Sequence, residues 1–297
     1  MTTTTTRIRS ALVTGAGRGL GRDIAGLLAD RGYRVMITDL DEQSSRTAAA
    51  EIGRGALWAA VDVRDRRQVD EARDRLVAET GGVDVWVNNA GVLLTGPAWE
   101  QTDEQRRLML DVNALGTING TVAAIEAMRG GGTGIPGTGA TGATGAPGSG
   151  GHIVNIVSLA GISAVPGEAV YAASKHAVMG FSSSTAADLR LAGVDDIDIS
   201  CICPDGIWTP MLFDKLEDPQ AALSFSGVLL QSEDVVRAVG RVLESRRPVT
   251  AVPARRGALA RLGAAFPRLA SALLPLMAAK GRRKQRTLLR TQGSSRS

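Results

Sequence analysis

Short apolar runs alternate along this chain with longer stretches in which apolar residues recur every three or four positions. The first run, residues 10–14, leads into a glycine-rich turn at 15–21, and a helical pattern follows. A second run at 35–38 ends at Asp39. Short apolar runs predict strands, whereas the longer period predicts amphipathic helices. Residues 10–39 therefore predict a strand, a glycine turn, a helix and a second strand, which form a βαβ unit.

This alternation continues as far as residue 252. Further strands are predicted at 56–62, 83–88, 152–158, 197–203 and 248–252. Further helices are predicted at 42–52, 66–79, 103–111, 113–128, 169–191 and 232–244. Strands that alternate with helices of this length pair in parallel, and the helices then cover both faces of the sheet. The expected fold class is therefore α/β, with a parallel sheet between two helical layers.

One segment, residues 130–151, interrupts the alternation with glycine, alanine and threonine in a loose repeat. It contains almost nothing to bury, so we expect a flexible surface loop inserted into the domain. Such an insertion is tolerated because lengthening a loop costs little free energy.

The last part of the chain differs from the rest in charge. From Ser245 to Ser297 there are 13 Lys or Arg residues and no Asp or Glu, whereas the preceding 244 residues carry 21 basic and 30 acidic side chains. The formal net charge of +4 thus conceals an acidic body of net charge −9 and a basic tail. We divide the chain into a domain at 1–254 and a basic C-terminal extension at 255–297.

Apolar residues in this extension recur at spacings that predict one helical stripe. They are Leu259, Leu262, Phe266, Leu269, Leu273 and Leu276. Pro267 and Pro275 are expected to kink or interrupt the helix. Two interpretations stay open: a peripheral contact with an anionic membrane surface, or packing of the stripe on the domain or on a partner subunit. Nucleic-acid binding is disfavoured, because no aromatic residues accompany the basic ones.

The cysteines and the N-terminus bear on the compartment. Cys201 and Cys203 lie two apart on a predicted strand, and no Cys/His cluster around them suggests a metal site. We expect buried thiols in a reducing compartment. The N-terminus has no apolar stretch typical of a signal peptide, and no long segment lacks charges and prolines, so no membrane-spanning helix is predicted. The expected location is cytoplasmic, with a membrane-peripheral location as the alternative.

The glycine-rich turn has the features of a dinucleotide-binding site. Gly15, Gly19 and Gly21 allow a tight turn and a close approach of the backbone to a pyrophosphate, and the helix that follows offers free N–H groups. Asp39, eighteen residues after Gly21, can accept hydrogen bonds from both hydroxyls of the adenosine ribose. It would repel a 2′-phosphate and so favours NAD over NADP, whereas Arg18 is a counter-signal that could reach a phosphate.

Three neighbouring residues complete the predicted cofactor site. Asp62, at the end of the third strand, is a candidate acceptor for a hydrogen bond from the adenine, with helix capping as the alternative role. Leu20 lies within the glycine turn and Val63 adjoins Asp62, so both are expected to line the same site.

Tyr171 and Lys175 are spaced for acid–base chemistry. Four residues apart on a predicted helix, they lie on one face, one turn from each other. An ammonium group beside the phenol is expected to lower the Tyr171 pKa from its usual value of about 10, so that the phenol can exchange a proton with an alcohol or a carbonyl. Ser158, thirteen residues upstream at the carboxyl end of a strand, could hydrogen-bond the same oxygen.

Residues 8–253 together resemble the short-chain dehydrogenase/reductase family. The resemblance rests on six motifs in order: Thr14-Gly15-x-x-x-Gly19-x-Gly21, Asn88-Asn89-Ala90-Gly91, Asn113, Ser158, Tyr171-x-x-x-Lys175 and Pro204-x-x-x-x-Thr209. It implies a doubly wound sheet of about seven strands, the Rossmann fold, and assembly as a homo-oligomer, either a dimer or a tetramer.

The resemblance also implies roles for the catalytic residues. Tyr171 would be the general acid/base, and Ser158 would orient and polarise the substrate oxygen. Lys175 would hold the nicotinamide ribose and lower the Tyr171 pKa. Asn113 would hold a water molecule of a proton relay, a role that is compatible with satisfying a helix kink.

The same resemblance implies that residues after three strands contact the cofactor. Asn89, Ala90 and Gly91 would line its adenine and ribose side, and Tyr171 and Lys175 would also touch it. Pro204 and Thr209 would lie at its nicotinamide.

One position departs from the family pattern. The turn after the sixth strand usually begins Pro-Gly, whereas here it is Pro204-Asp205-Gly206. Asp205 is expected to place an acid near the substrate, and Gly206 to restore the turn. The following segment, about 211–230, is expected to close over the substrate with an apolar face, while Asp214, Glu217 and Asp218 face solvent. An apolar lid favours a lipophilic small molecule.

The predicted function is therefore that of an oxidoreductase that interconverts a secondary alcohol and a ketone with NAD(H). The alternative is a non-catalytic dinucleotide-binding sensor or a membrane-tethered adaptor. The joint presence of Ser158, Tyr171 and Lys175 argues against that alternative, since a sensor has no use for all three.

Overall fold

The computed structural model of this chain describes residues 8–130 and 150–294. Within them, one sheet contains β1 (Ser10–Thr14), β2 (Arg34–Asp39), β3 (Leu57–Ala60), β4 (Val85–Asn88), β5 (Gly151–Ile156), β6 (Ile197–Pro204) and β7 (Val249–Val252). The helices are α1 (Gly19–Asp30), α2 (Glu42–Ile52), α3 (Arg66–Thr80), α4 (Asp103–Leu110), α5 (Gly116–Met128), α6 (Ala169–Leu191), α7 (Pro210–Phe213), α8 (Ser232–Ser245), α9 (Ala254–Ala265) and α10 (Pro267–Ser294).

All seven strands are parallel, in the order β3-β2-β1-β4-β5-β6-β7. Successive side chains of a strand point to opposite faces, and here both faces are buried. In β1, Ala11 and Val13 belong to the core shared with α1, α2 and α8, whereas Leu12 belongs to the core shared with α3, α5 and α6. This arrangement confirms the predicted α/β fold with a doubly wound parallel sheet.

The strand order opens a crevice beside the centre of the sheet. β1 lies between β2 and β4, so the chain moves toward one edge after β1 and toward the other edge after β4. The loops that follow these two strands therefore part at their carboxyl ends, where doubly wound sheets bind ligands.

A buried polar network holds the centre of the sheet against α5 and α6. Asn88, the last residue of β4, accepts a hydrogen bond from Trp86 Nε1 (2.8 Å) and donates to Asn155 Oδ1 (2.8 Å) and Thr121 Oγ1 (3.1 Å). Asn155 in turn donates to Ser182 Oγ on α6 (2.8 Å). Because buried amides need such partners, the network fixes where the two helices sit on the sheet.

Most observed element bounds agree with the predicted ones to within one or two residues, but the region between α4 and α5 differs in kind. β3 ends at Ala60, because Val61 makes the last backbone hydrogen bond to β2 (to Asp39 O, 2.8 Å) before the chain turns toward α3. The break predicted at 112 is instead a π-helical turn, Asp111–Leu115, that joins α4 to α5. The predicted loop at 130–151 lies mostly at 131–149, outside the described residues.

Helices α4 and α5 with the turn between them form the segment Asp103–Met128, which is long and apolar enough by length and composition to span a membrane. It is the one such segment in the described part of the chain, whereas the sequence pattern predicts no membrane-spanning helix. In the fold, 56% of its most apolar window is buried. Residues of its α5 part pack on the sheet and on α3, as in a core helix, whereas Leu110 and Leu115 are 41% and 42% exposed.

The C-terminal extension forms a helical hairpin, α9 and α10. Helix α9 ends at Ala265, and Pro267 is the first residue of α10, while Pro275 lies within α10 without ending it. Near its end α10 returns to the domain, where Leu288 and Leu289 pack against Leu212 and Phe225. The six residues of the predicted stripe stay 47–70% exposed, so the extension packs on the domain through residues outside that stripe.

Two glycines of α1 provide a test of how closely the helix approaches the glycine turn. A Cβ atom on Gly21 would lie 2.2 Å from Gly15 O and 2.4 Å from Asn89 Nδ2, whereas one on Gly26 would meet no heavy atom within 4 Å. We expect Gly21→Ala to lower the free energy of unfolding by about 1–3 kcal/mol, through overpacking. Gly26→Ala should raise it by up to about 1 kcal/mol, through helix propensity. Urea unfolding of both variants measures these changes, and equal changes in the free energy of unfolding would contradict the prediction.

Candidate active site

A cavity of about 1500 Å³ opens at the carboxyl ends of β1, β4, β5 and β6. Every residue that the sequence predicts for the cofactor or for catalysis lines this cavity, with the exception of Asn113. The fold therefore brings the glycine turn, the end of β2, the turn after β4, Ser158 and α6 to one space.

The glycine turn is held against the turn after β4 by hydrogen bonds. Asn89 Nδ2 donates to Thr14 O (3.1 Å) and Gly15 O (2.9 Å), and Thr14 Oγ1 accepts from the backbone N–H groups of Asn89 and Ala90 (both 3.1 Å). Gly15 has a φ of +61°, a conformation that L side chains rarely adopt. These contacts fix the position of the turn at the start of α1.

The start of α1 is suited to a pyrophosphate. Arg18, the residue before the helix, makes no side-chain capping hydrogen bond, so the first N–H groups of α1 stay available at the cavity. The cavity walls here are backbone and small side chains, which leaves room for phosphate oxygens. The residues present therefore fit the diphosphate of a dinucleotide.

Asp39 ends β2 at the edge of the cavity. Its Oδ2 accepts a hydrogen bond from Gly17 N (3.0 Å), so the glycine turn orients the carboxylate. Arg18 is exposed and lies near Asp41, whose carboxyl pKa is lowered mainly by hydrogen bonds from Ser44 and to a smaller extent by Arg18. The cation of the turn and the carboxylate of β2 thus flank the same part of the cavity.

Asp62 lines the cavity but does not cap a helix. Both of its carboxylate oxygens accept hydrogen bonds from Arg64 (2.6–3.0 Å), and this pairing lowers the Asp62 pKa. The residue that caps α3 is Asp65, which accepts from Arg67 N (3.0 Å). The alternative role that the sequence suggested for Asp62 is therefore wrong, because the capping position comes three residues later.

Asn113 lies behind the cavity wall, in the π-helical turn. Its Oδ1 accepts from Val92 N (2.8 Å), and its Nδ2 donates to Val92 O (2.9 Å) and Ser174 Oγ (3.0 Å). The side chain thus joins the loop after β4 to α6, and its hydrogen bonds go to these neighbours and not to backbone groups of the π-helical turn. The relay through a water molecule stays a prediction.

Tyr171, Lys175 and Ser158 meet at the inner end of the cavity. Lys175 is buried and its Nζ donates to Ile156 O (3.0 Å), at the end of β5. This Nζ lies 5.7 Å from the centre of the Tyr171 ring. Ser158, two residues after Ile156, hydrogen-bonds the Tyr171 phenol and so lowers the pKa of that group. Strand β5 and helix α6 together set this geometry.

The prediction that Lys175 lowers the Tyr171 pKa is wrong for the protein alone. Burial raises the pKa of Tyr171, and the nearby Glu168 carboxylate raises it further. Burial also lowers the pKa of Lys175 to about 8. The sequence spacing places the two side chains on one helix face, but it does not reveal that both lie where water cannot stabilise their charged forms.

Glu168 is a cavity residue that the sequence analysis missed. It is 2% exposed, and it accepts a hydrogen bond from Ser224, which lies in the segment 211–230 that is expected to close over the substrate. Burial raises its pKa to about 7, and Asp218 contributes to the rise. The signal that could have found it is its position three residues before Tyr171, which places the two one turn apart at the start of α6.

Asp205, the departure from the family pattern, forms an ion pair with the C-terminal hairpin. Its Oδ2 accepts a hydrogen bond from Arg256 Nε of α9 (2.7 Å), and the two side chains are 8% and 22% exposed. The acid expected near the substrate does line the cavity, and it is paired with a cation from beyond residue 253. Thr209, four residues on, lines the cavity as predicted.

Part of the predicted lid, residues 211–230, forms a separate buried apolar cluster. Leu212, Leu216 and Phe225 are buried together against α10, while Met211 and Leu223 line the cavity. Asp214 and Glu217 are exposed as expected. Asp218 is not: it is half-buried, accepts from Thr95 Oγ1 and caps the 3₁₀ turn Pro219–Leu223 by accepting from Gln220 N (2.8 Å).

Both predicted thiols are buried in the core beside this site. Cys201 and Cys203 lie on the same face of β6, in a cluster with Val157, Leu159 and Val178. This confirms the predicted burial.

Comparisons with known proteins agree with this geometry. The family model described as short chain dehydrogenase matches residues 9–220. Oxidoreductase UcpA of Escherichia coli strain K12 is 32% identical over 223 residues, which cover 73% of this chain and 78% of the relative. Cyclopentanol dehydrogenase of Comamonas sp. is 33% identical over 222 residues, covering 74% of this chain and 81% of the relative.

Solved structures show the same fold. A short-chain dehydrogenase/reductase from Burkholderia phymatum in complex with NAD superposes with a TM-score of 0.75 at 25% identity, over 89% of this chain and 95% of that one. A 3-ketoacyl-(acyl-carrier-protein) reductase from Brucella melitensis complexed with NADH superposes with a TM-score of 0.69 at 27% identity, over 82% and 95%. The fold, the placement of the motif residues and the family match together show that this chain belongs to the short-chain dehydrogenase/reductase family and is an oxidoreductase.

Proposed function

We propose that this chain interconverts a secondary alcohol and a ketone on a lipophilic small molecule, with NAD(H) as cofactor and Tyr171 as the general acid/base. The observation that carries the proposal is the meeting of the Tyr171 phenol and the Ser158 hydroxyl at the inner end of the cavity, with Lys175 one turn away. The relative named cyclopentanol dehydrogenase supports an alcohol as substrate.

Two hydroxyl groups converge where a substrate oxygen would lie. Ser158 donates or accepts a hydrogen bond there and holds the oxygen in place, and Tyr171 transfers the proton. When bound, the nicotinamide supplies or accepts the hydride. The chain itself supplies the proton, the orientation and a site shielded from water.

The raised Tyr171 pKa favours one protonation state. At neutral pH the phenol of the protein alone is neutral, which suits donation of a proton to a carbonyl oxygen during reduction. Oxidation of an alcohol needs the phenolate, which a positive charge close to the phenol stabilises. Lys175, anchored on Ile156 O, is placed to supply such a charge while it holds the nicotinamide ribose.

The cavity walls support a lipophilic substrate. The residues that line the cavity include Leu93, Leu94, Ile162 and Met211. Burial of apolar surface favours a substrate with little polar character apart from the reacting oxygen. The predicted homo-oligomer and cytoplasmic location are part of the proposal, and sedimentation velocity of the purified chain would test the assembly.

Replacing the proposed proton donor should separate binding from chemistry. Tyr171→Phe removes only the hydroxyl, so we expect NAD⁺ binding to be retained and turnover of secondary alcohols to fall by about 10²–10⁴-fold. Absorbance at 340 nm reports turnover, and titration calorimetry reports binding. Tyr33→Phe, at the only other tyrosine of the chain, is the matched control. Full activity in Tyr171→Phe would refute the proposed role; a wild-type chain that binds NAD⁺ but turns over no alcohol would favour a sensor.

The proposed choice of NAD over NADP rests on the Asp39 carboxylate. We expect the wild-type chain to prefer NAD⁺, and Asp39→Asn to raise kcat/KM for NADP⁺ by about tenfold, because the substitution removes a like charge from the 2′-phosphate. The amide oxygen can still accept from Gly17 N. Asp30→Asn, at an exposed acid of α1, is the control. Better use of NADP⁺ by the wild-type chain would mean that Arg18 outweighs Asp39.

Glu168 should make the stability of the fold depend on pH. Its pKa is about 7 in the folded chain against an ordinary 4.5, so the folded state binds the extra proton. The contribution of Glu168 to the free energy of unfolding should therefore fall as pH rises from about 4.5 to about 7, by about 3 kcal/mol. Glu168→Gln keeps an oxygen that can accept from Ser224, but it has no carboxyl to titrate. It should therefore be more stable than the wild-type chain at pH 8, whereas at pH 4.5 it should have no such advantage.

Urea unfolding at the two pH values measures this difference. Glu217→Gln, at an exposed acid of the same region, is the control and should follow the wild-type chain at both. If Glu168→Gln and the wild-type chain lose the same stability between pH 4.5 and 8, the pKa of the Glu168 carboxyl is not raised as described.

A further inference from the structure

We infer that the C-terminal hairpin docks on an anionic lipid bilayer and turns the mouth of the active-site cavity toward it. Contact of this hairpin with lipid does not require the proposed function, although part of its surface also lines the cavity.

The base of the hairpin is anchored to the domain on both of its helices. On α9, Arg256 pairs with Asp205, and Gly257 is buried against Ala251. On α10, Lys284 Nζ donates to Gly227 O (2.9 Å), and Gln285 Nε2 donates to Asp218 O (2.8 Å). These contacts hold the two helices at a fixed place beside the cavity.

The tip of the hairpin, residues 258–280, exposes an apolar surface. Six large apolar side chains there are each between 47% and 70% exposed, far above what the core residues show. They are Leu259, Leu262, Phe266, Leu269, Leu273 and Leu276. No part of the described chain covers them, and a contiguous apolar patch of this kind marks an interaction surface.

The charges beside this patch select the kind of partner. Arg255, Arg261, Arg268 and Lys280 lie within or beside the tip, and the sequence has no acidic residue after Ser245. A helical surface that combines exposed leucines with arginines and lysines fits the interface of an anionic bilayer, where apolar groups enter the acyl boundary and cations meet the headgroups.

A second copy of the chain fits this surface less well. A symmetric contact through the tip would bring the arginines of two hairpins together, so like charges would repel. A contact of the tip with the acidic body of another copy would close only if it were reciprocal or formed a ring, and sedimentation velocity without lipid tests for it. An anionic bilayer is the occupant that meets both the apolar side chains and the cations of the tip.

The patch is continuous with the wall of the cavity. Leu262, Phe266, Leu269 and Leu273 line the cavity, and each is 47–64% exposed. A bilayer against the tip would thus meet the cavity mouth, and a lipophilic molecule dissolved in it could enter without crossing water. This last step rests on the proposed function, whereas the lipid contact does not.

Flotation of the full chain with vesicles tests the inference without any substrate. We expect binding to vesicles of phosphatidylcholine with phosphatidylglycerol, and weaker binding to phosphatidylcholine alone or at high salt. Leu269→Glu/Leu276→Glu should reduce the partition to anionic vesicles by at least about tenfold, since two apolar groups are lost from the contact. Leu191→Glu, at a side chain of α6 that is 87% exposed, should bind like the wild-type chain.

Three outcomes would overturn the inference. One is that the wild-type chain does not float with anionic vesicles; the second is that Leu191→Glu loses as much binding as the hairpin variant. The third is that the hairpin variant, by sedimentation velocity without lipid, dissociates an oligomer while its vesicle binding is unchanged, which would make the tip a contact between copies. Thermal melting of each variant verifies that it folds. Tyr171→Phe should float like the wild-type chain even though its turnover is lost. Failure of one proposal therefore does not imply failure of the other.

Discussion

The position of β1 between two strands that lead in opposite directions is the constraint on which the site depends. Because the chain moves away from the sheet centre on both sides, the turns after β1 and β4 cannot cover the carboxyl ends of their own strands. Hydrogen bonds between Thr14 and Asn89 then hold the two turns at a fixed separation. The crevice is a result of chain topology before any side chain of the active site is considered.

Burial governs the chemistry inside that crevice more strongly than pairwise charge. Tyr171, Lys175 and Glu168 all have pKa values displaced toward their neutral forms, and in each case burial is the largest cause. The alignment of Tyr171 with Lys175 therefore does not activate the phenol by itself. A charged group that enters the cavity beside these three side chains has a large effect, because water screens charges poorly at a buried site.

Periodicity and motif order predicted most of the fold and of the site. Alternating strands and helices were enough for the parallel sheet, and the glycine turn, Ser158, Tyr171 and Lys175 were placed correctly because each is tied to the end of a strand or to a helix face. What could not be predicted depends on contacts between distant segments. The burial of Glu168 under Ser224 and the pairing of Asp205 with Arg256 are examples, since spacing along the chain carries no information about either.

The Asp205–Arg256 ion pair has a consequence for where this protein can be cut. The family match ends at residue 220, and a fragment trimmed to the domain at 1–254 would contain every matched motif. It would also leave the Asp205 carboxylate, 8% exposed, without its cation, and it would uncover Leu212 and Phe225 where α10 now lies. The contacts that hold Asp205 and the segment 211–230 thus come from helices beyond the residues that the family model matches, and we expect expression of residues 1–254 alone to give a destabilised protein with exposed apolar side chains in that segment.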